Sequence, residues 1–354
     1  MKFRKTAAYR CVHVVVVLLL TISVISLAMS VLVNDGSGQV HGQTIQRRAY
    51  SDSVPGNIRP ILLDLETSSW NYIFRDLLPG GSSRPDNCTT GERTAIIIPC
   101  RDREKHLAIL LANLIPFLRK QRVDFTFFVI DHQPPGPFNK GLLLNAGFLE
   151  ASKMGNYSCF IFHDVDMLPL NDNNFYQCDA DNPTHFVSGL DKWDYSLTNY
   201  GAFVLGGVIS FTARQFLSIN GASNLYFGWG GEDDDLTLRT QAKGMTPIRK
   251  RSPVGLYNMI KHGEDTSNPM NPHRWKMTKL AADRQDLEGL NTARYKVMAV
   301  DLLPLYTRVK VTVNVSDVIS TAPREMATWL HQFTESYAAP RNFIYHFFRS
   351  SIFL

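Results

Sequence analysis

Four short stretches carry side chains whose types and spacing could do chemistry. In "HDVDMLP" (163–169), Asp164 and Asp166 stand two residues apart at the end of an apolar run. In an extended segment residues i and i+2 point the same way. Both carboxylates would then project together, as a hard divalent cation bridging carboxylate and phosphate oxygens requires. The same pair could cap a turn, and Pro169 and Asn171 fit that reading. In "NMIKHGEDTSNPMNPHRW" (258–275), His262 follows Met259 by three residues and precedes a long polar loop of the kind that often closes over a site. A single histidine is equally at home as an ordinary surface or core residue. "FGWGGEDDDL" (227–236) joins glycines, which let backbone approach a ligand, to Trp229, a stacking face for a sugar or base. Its four consecutive acids, Glu232 to Asp235, repel one another, so one can be raised in pKa and made fit to take a proton. Acids also favour a helix N-terminus, and "EDDDLTLRTQAKG" reads as one. "RDR" (101–103) offers two guanidinium groups to a phosphate, or makes surface ion pairs.

These residues need a scaffold, and the sequence supplies one. Ala95 to Ile98 is a short buried strand that Pro99 ends, followed by a helix with leucines on helical spacing. "DFTFFVID" (124–131) is a second strand, "FNKGLLLNAGFLEASK" (138–153) a second helix and "YSCFIFHDVDML" (157–168) a third strand. Strand–helix alternation predicts an α/β domain with a largely parallel sheet. Ligands in such sheets bind beyond the C-terminal strand ends. That puts "PCRDR", "DHQPPGPFN" and "DVD" around one crevice. There is no GxxxxGK[ST] loop, and no GxGxxG follows a strand.

The chain has 354 residues, 44% hydrophobic, 11% aromatic and 19% charged, enough for one large packed domain or two small ones. Lys2, Arg4, Lys5 and Arg10 precede an uncharged run from Cys11 to Val33, long enough as a helix to cross a bilayer of about 30 Å. The basic flank predicts residues 1–10 in the cytoplasm, a signal anchor over 11–33 and the remainder on the far side. Four of the +5 net charges lie in those first ten residues, so the exported part is near neutral and nucleic-acid binding is not expected. Residues 34–90 read as a Gly-, Ser- and Pro-rich stem, in which the apolar piece "IRPILLDLETSSWNYIF" could pack on the main domain. The cysteines show no CxxC spacing, which argues against zinc. Sequons at Asn87, Asn156 and Asn314 fit a secretory route. The tail over 316–354 is dense in aromatics, with "MATWLHQF" and "NFIYHFFRSSIFL", and could pack on the domain, meet a membrane surface or hold a protein partner.

Residues 86–315 resemble the animal β-1,4-galactosyltransferases and their N-acetylgalactosaminyltransferase relatives. The resemblance is carried by "IIIPCRDREKHL", "FNKGLLLNAGF", "YSCFIFHDVDMLPLNDNNFYQC", "LGGVISF", "QFLSINGASNLYFGWGGEDDDL", "GMTPIRKRSPVGLYNMIKHGED", "NPHRW" and "LLPLYTRVKVTV". It implies a type II Golgi membrane protein with a GT-A catalytic domain over 91–315, a Rossmann-like mixed sheet with a DxD metal site. Asp166, Met259 and His262 are implied as Mn²⁺ ligands. Pro99, Arg101, Arg103, Phe138, Asn139, Lys140, Asp164 and Val165 are implied to contact UDP, with Trp229 on a mobile loop over the donor. Asp233 is implied as catalytic base with Glu232 beside it. Gly231, Asp234, Arg274 and Trp275 are implied to face an acceptor GlcNAc. Cys159 and Cys178 match a family disulfide. A Gly at 231 rather than Arg points away from the proteoglycan-linker branch. Val204 stands where galactosyltransferases have a Tyr near C2 of the donor sugar. The smaller side chain leaves room for an N-acetyl group, which implies UDP-GalNAc in preference to UDP-Gal. Cys100, Lys140, Phe227 and Thr278 depart from the usual Phe, Arg, Trp and apolar residue. Cys88 matches a family cysteine whose usual partner is absent upstream, which leaves it free or paired with Cys100.

Overall fold

The computed structural model describes residues 56–63, 67–85, 91–196, 204–261, 263 and 268–338. The predicted membrane span, Asn87, Cys88 and His262 fall outside them. No helix among the described residues is long and apolar enough to cross a membrane.

Helix α1 (Thr67–Ile73) and strand β1 (Ser82–Ser83) come first. The alternation read from the sequence follows: β2 (Arg93–Cys100), α2 (Glu104–Lys120), β3 (Asp124–His132), α3 (Lys140–Met154) and β4 (Cys159–His163). Short strands β5 (Met167–Pro169), β6 (Thr184–His185), β7 (Gly189–Leu190) and β8 (Val208–Thr212) lead to helices α4 (Ala213–Ser218) and α5 (Glu232–Ala242). After β9 (Ile248–Arg249) and β10 (Leu256–Met259) come α6 (Arg274–Lys279) and α7 (Ala281–Arg284). The chain then forms β11 (Lys296–Leu302), β12 (Thr307–Thr312), α8 (Val315–Ser320) and α9 (Arg324–Ala338).

The main sheet runs β11-β12-β3-β2-β4-β8-β6-β9, with β1 on β3. Its centre, β12-β3-β2-β4, is parallel, and β8 turns it antiparallel at β4. Alternate side chains of β2 face opposite cores. Ile96 and Ile98 pack with Leu110 and Leu114 of α2, while Ala95 and Ile97 pack with Leu143 and Phe148 of α3. Burial on both faces is why these strands read as unbroken apolar runs. A Cβ on Gly147 of α3 would lie 2.2 Å from Ile97 Cγ2, so glycine sets how closely that helix approaches the sheet.

Three expectations need correction. Strand β2 continues through Pro99 to Cys100, because the β4 ladder ends at Ile97 and the missing N–H of Pro99 interrupts nothing on that side. The third predicted strand is two: Met167 N donates to Asp164 O at 3.3 Å, closing a turn, and β5 joins a separate sheet β5-β10-β7. Asp164 and Asp166 therefore share a turn rather than an extended face. The stem does not run to 90 as a tether, since Ser82 and Ser83 pair with β3, and within it the apolar piece that could pack on the domain does so, with Trp70 buried in the core. For the tail, packing on the domain is the reading that holds over 316–338: Met326, Leu330 and Phe333 of α9 are buried with Val318 and Ile319 of α8.

Candidate active site

Strands β2, β3 and β4 open at one edge, and α3 and α5 begin there. Asn139 caps α3 by accepting from Leu142 N at 2.9 Å, which puts Lys140 in its first turn, facing the turn after β4. Lys140 Nζ lies 2.9 Å from Asp164 Oδ1 and 3.1 Å from Asp233 Oδ1. Glu232 Oε2 is buried and finds no hydrogen-bond partner among the described residues. Three carboxylates thus share one cation. Burial alone would lower the Lys140 pKa, but Asp164, Asp233 and Glu232 hold it well above its usual value. Burial pushes Asp233 up to about 7, against the pull of Lys140 and with the repulsion of Glu232 and Asp164. Glu232 is also raised, chiefly by burial. An aspartate titrating near neutrality is suited to accept a proton there.

The last acid of the run differs. Asp235, expected to serve the helix start, is fully buried in an ion cluster. Its Oδ1 accepts from Arg239 Nε at 2.6 Å, and its other oxygen pairs with Arg284 and accepts from Tyr226 OH at 2.9 Å. Glu288 pairs with both arginines and accepts from Asn224 N at 2.9 Å. Two acids and two bases balance one another behind the first turn of α5.

The Asp164–Asp166 turn is held from below. His163 Nδ1 meets the Asp164 carbonyl at 2.8 Å and so must donate. Its Nε2 then accepts from Tyr176 OH at 3.0 Å, Tyr176 accepts from Tyr257 OH at 2.9 Å, and Tyr257 accepts from Asn174 Nδ2 at 3.1 Å. Burial lowers His163 to about 4, consistent with a neutral ring. Tyr257 lies on β10, which pairs antiparallel with β5 so that Met259 faces Met167. Ile260 N donates to Asp166 O at 2.8 Å. Asp166 and Met259 are thus adjacent across two backbone-paired strands. Carboxylate oxygens on a pinned turn beside a thioether fit a divalent ion, with His262 three residues after Met259 outside the described residues. The other described group of this kind, Glu92 with Cys159 and Cys178, is no metal centre, because the two sulfurs form a disulfide.

The far wall is built by loop 228–231 and by residues 268–275. Trp229 N donates to Pro269 O at 2.9 Å and Asn271 N to Trp229 O at 3.3 Å, while the Trp229 side chain is 57% exposed. Gly231, at φ +98°, precedes α5; a Cβ there would lie 2.7 Å from the Tyr226 ring and 3.0 Å from Arg274 Cβ. Arg274 lies over Trp275 at 4.9 Å, and its charge partly offsets the burial that raises Asp234. Thr278 meets Tyr226 OH at 3.2 Å. Val204 is half-buried, and its neighbour is tied to Asp233: Leu205 N donates to Thr237 Oγ1, which donates to Asp233 O, at 2.9 and 2.8 Å.

Other predicted residues divide. Arg101 donates to Gly136 O at 3.0 Å and lies 5.2 Å over the Phe138 ring, so these two line the strand-end crevice together. Pro99 is buried within β2, whereas Arg103 and Val165 are half-buried. Asn139 is fully buried, its oxygen capping α3 and its nitrogen donating to Asn224 O at 2.7 Å. Asn156 and Asn314 are exposed. Cys100 is a free thiol, which burial pushes up to about 12, so it is unreactive at neutral pH. The His163–Tyr176–Tyr257 chain was not expected; the one signal was a histidine abutting DVD.

The profile for the N-terminal region of glycosyl transferase group 7 matches residues 58–179, and that for the N-terminal domain of galactosyltransferase matches 184–263. A Lymnaea stagnalis β-N-acetyl-D-glucosaminide β-1,4-N-acetylglucosaminyltransferase is 41% identical over 334 residues, covering 77% of this chain and 68% of the relative. Human β-1,4-galactosyltransferase 3 is 42% identical over 246 residues, covering 70% of this chain and 61% of its own length. The catalytic domain of Drosophila β1,4-galactosyltransferase 7, solved with xylobiose and, as a mutant, with manganese, UDP-Gal and xylobiose, superposes with a TM-score of 0.55 at 27% identity, covering 68% of this chain and 98% of that one. With a GT-A-like sheet, an acid cluster at its open edge and these matches, the chain belongs to the β-1,4-galactosyltransferase family of group 7 glycosyltransferases.

Proposed function

We propose that this chain transfers GalNAc from UDP-GalNAc to the 4-hydroxyl of a terminal GlcNAc, with inversion at the anomeric carbon. Family membership supports the coarser part, a metal-dependent β-1,4-glycosyltransferase. The observation that carries the reading is Lys140 spanning Asp164 and Asp233, which joins the DVD turn and the acid run in one site. Asp166 and Met259, with His262, would hold Mn²⁺, which when bound supplies positive charge for the departing diphosphate. Arg101 and Phe138 bind the nucleotide end. Asp233 takes the proton of the acceptor 4-hydroxyl; that oxygen forms the new bond to C1 as the C1–O bond to UDP breaks. Asp234, Arg274 and Trp275 orient the acceptor ring. Anchorage as a single-pass type II protein of the Golgi membrane, through residues 11–33, belongs to the same proposal.

A donor panel of UDP-GalNAc, UDP-Gal and UDP-GlcNAc on a GlcNAc-terminated acceptor with Mn²⁺ tests it. UDP-GalNAc is expected to give the highest kcat/KM, and Val204→Tyr should swing preference toward UDP-Gal by about tenfold or more. An unchanged preference in Val204→Tyr would show that the donor pocket lies elsewhere. A wild-type preference for UDP-GlcNAc would replace the donor with that of the snail relative. No turnover with any donor would make the chain a non-catalytic sugar-binding subunit.

A further inference from the structure

Helix α9 lies well beyond residue 263, where the family match ends. Its buried residues Met326, Leu330 and Phe333 follow i, i+4, i+7 spacing and join a cluster with Leu225, Tyr226 and Phe227, directly before the Trp229 loop. Two contacts reach the site wall. A Cβ on Gly228 would lie 2.9 Å from Phe333 Cζ and 2.3 Å from Pro269 O, so helix, loop and 268–275 segment meet at one backbone position. One turn earlier, Trp329 stacks on His273, with ring centroids 5.9 Å apart and planes 10° apart. Lys276 Nζ lies 5.8 Å from the same indole ring. His273 immediately precedes α6, which begins with Arg274 and Trp275.

We propose that α9 sets the acceptor wall and that Trp329 is a positioning residue for acceptor binding. This rests on the reading above that Arg274 and Trp275 face the acceptor. Trp329 touches the last residue before α6 and one residue within its first turn, so it fixes the start of that short helix. A helix of six residues, Arg274–Lys279, has little stability of its own and takes its direction from what it packs against. The donor side, on α3 and the β4 turn, has no part in the stack. Trp329 is only partly buried, unlike Met326, Leu330 and Phe333, so its removal leaves the α9 core in place.

The test uses the full chain carrying Trp329→Ala, His273→Ala or both, with Trp329→Phe as the conservative variant. Steady-state kinetics are measured on the acceptor that the wild-type protein uses best. Trp329→Ala should raise acceptor KM about tenfold, leave donor KM and acceptor-free donor hydrolysis nearly unchanged, and be largely rescued by Phe. The double variant should be no worse than the weaker single one, because both break one stack. Equal rises in both KM values, no rise in acceptor KM, or additive effects of the two alanines would each overturn the proposal. Comparing GlcNAc-terminated with other sugar acceptors on the wild-type protein judges the GlcNAc assignment separately, since the ratio of the two KM changes can be read on any acceptor.

Discussion

Two charged clusters sit back to back on the first turn of α5, and they are built on opposite principles. Toward the crevice, Glu232, Asp233 and Asp164 share the single cation of Lys140, and about a quarter of the Asp233 side chain stays exposed, at 27%. Behind it, Asp235 and Glu288 meet Arg239 and Arg284, all fully or nearly fully buried. The open cluster has an excess of negative charge and, among the described residues, an unpartnered carboxylate oxygen on Glu232. The closed one is balanced in charge, and Tyr226, Ser223 and Asn224 add hydrogen bonds to it, with Arg284 Nε left without a partner among the described residues. Adjacent residues of one acidic run therefore do different work, and what separates them is the count of nearby cations. Breaking the open cluster should cost rate, and breaking the closed one should cost stability.

The largest effect is expected in the open cluster. Asp233→Asn keeps the shape and the contact to Lys140 but cannot take a proton. Its kcat should fall about a hundred- to ten-thousandfold, with UDP affinity and unfolding temperature maintained. Near-normal kcat would remove Asp233 from its role as base. In the closed cluster, Arg284→Met leaves Asp235 and Glu288 with one cation between them. An uncompensated buried charge should destabilise the fold by about 3–5 kcal/mol, read from denaturant unfolding. A variant that unfolded like wild type but lost kcat would reverse the assignment of the two clusters.

The sequence makes one of these regions easier to read than the other. Strands β2 and β3 and helices α2 and α3 are legible because parallel interior strands are apolar on both faces and their helices carry leucines on one stripe. The open cluster is half legible: its acids are conspicuous, but their meeting with Lys140 joins residues 93 apart. The role of Asp235 could not be read locally, because Arg284 and Glu288 come about fifty residues later and the run itself is uniform. The DVD segment reads as extended, with a turn as the alternative, because its apolar flanks, Phe160–Phe162 and Met167–Leu168, continue the period of a strand. What ends that strand is pairing: β4 bonds to β2 and β8, whereas β5 bonds to β10. The docking of α9 was equally hidden, since its apolar spacing says that one face is buried without saying against what.

The finest discrimination between the clusters comes from pH. As a base Asp233 would act only when ionised, and burial, with Glu232 and Asp164, pushes it up to about 7 against the pull of Lys140. The acid limb of the kcat/KM profile should therefore rise with pH and level off above neutrality. Lys140 is the cation that favours the ionised form. Removing it in Lys140→Met should raise the Asp233 pKa further and move the limb toward alkaline pH, by about a unit or more. The closed cluster has no such lever, because its charges are matched and sealed from solvent, so Arg284→Met should leave the midpoint in place while lowering stability. Profiles at saturating Mn²⁺ for wild type and the two variants separate the cases. A limb that stays put in Lys140→Met, or moves toward acid, would mean that the group titrating near neutrality is not the aspartate beside that lysine.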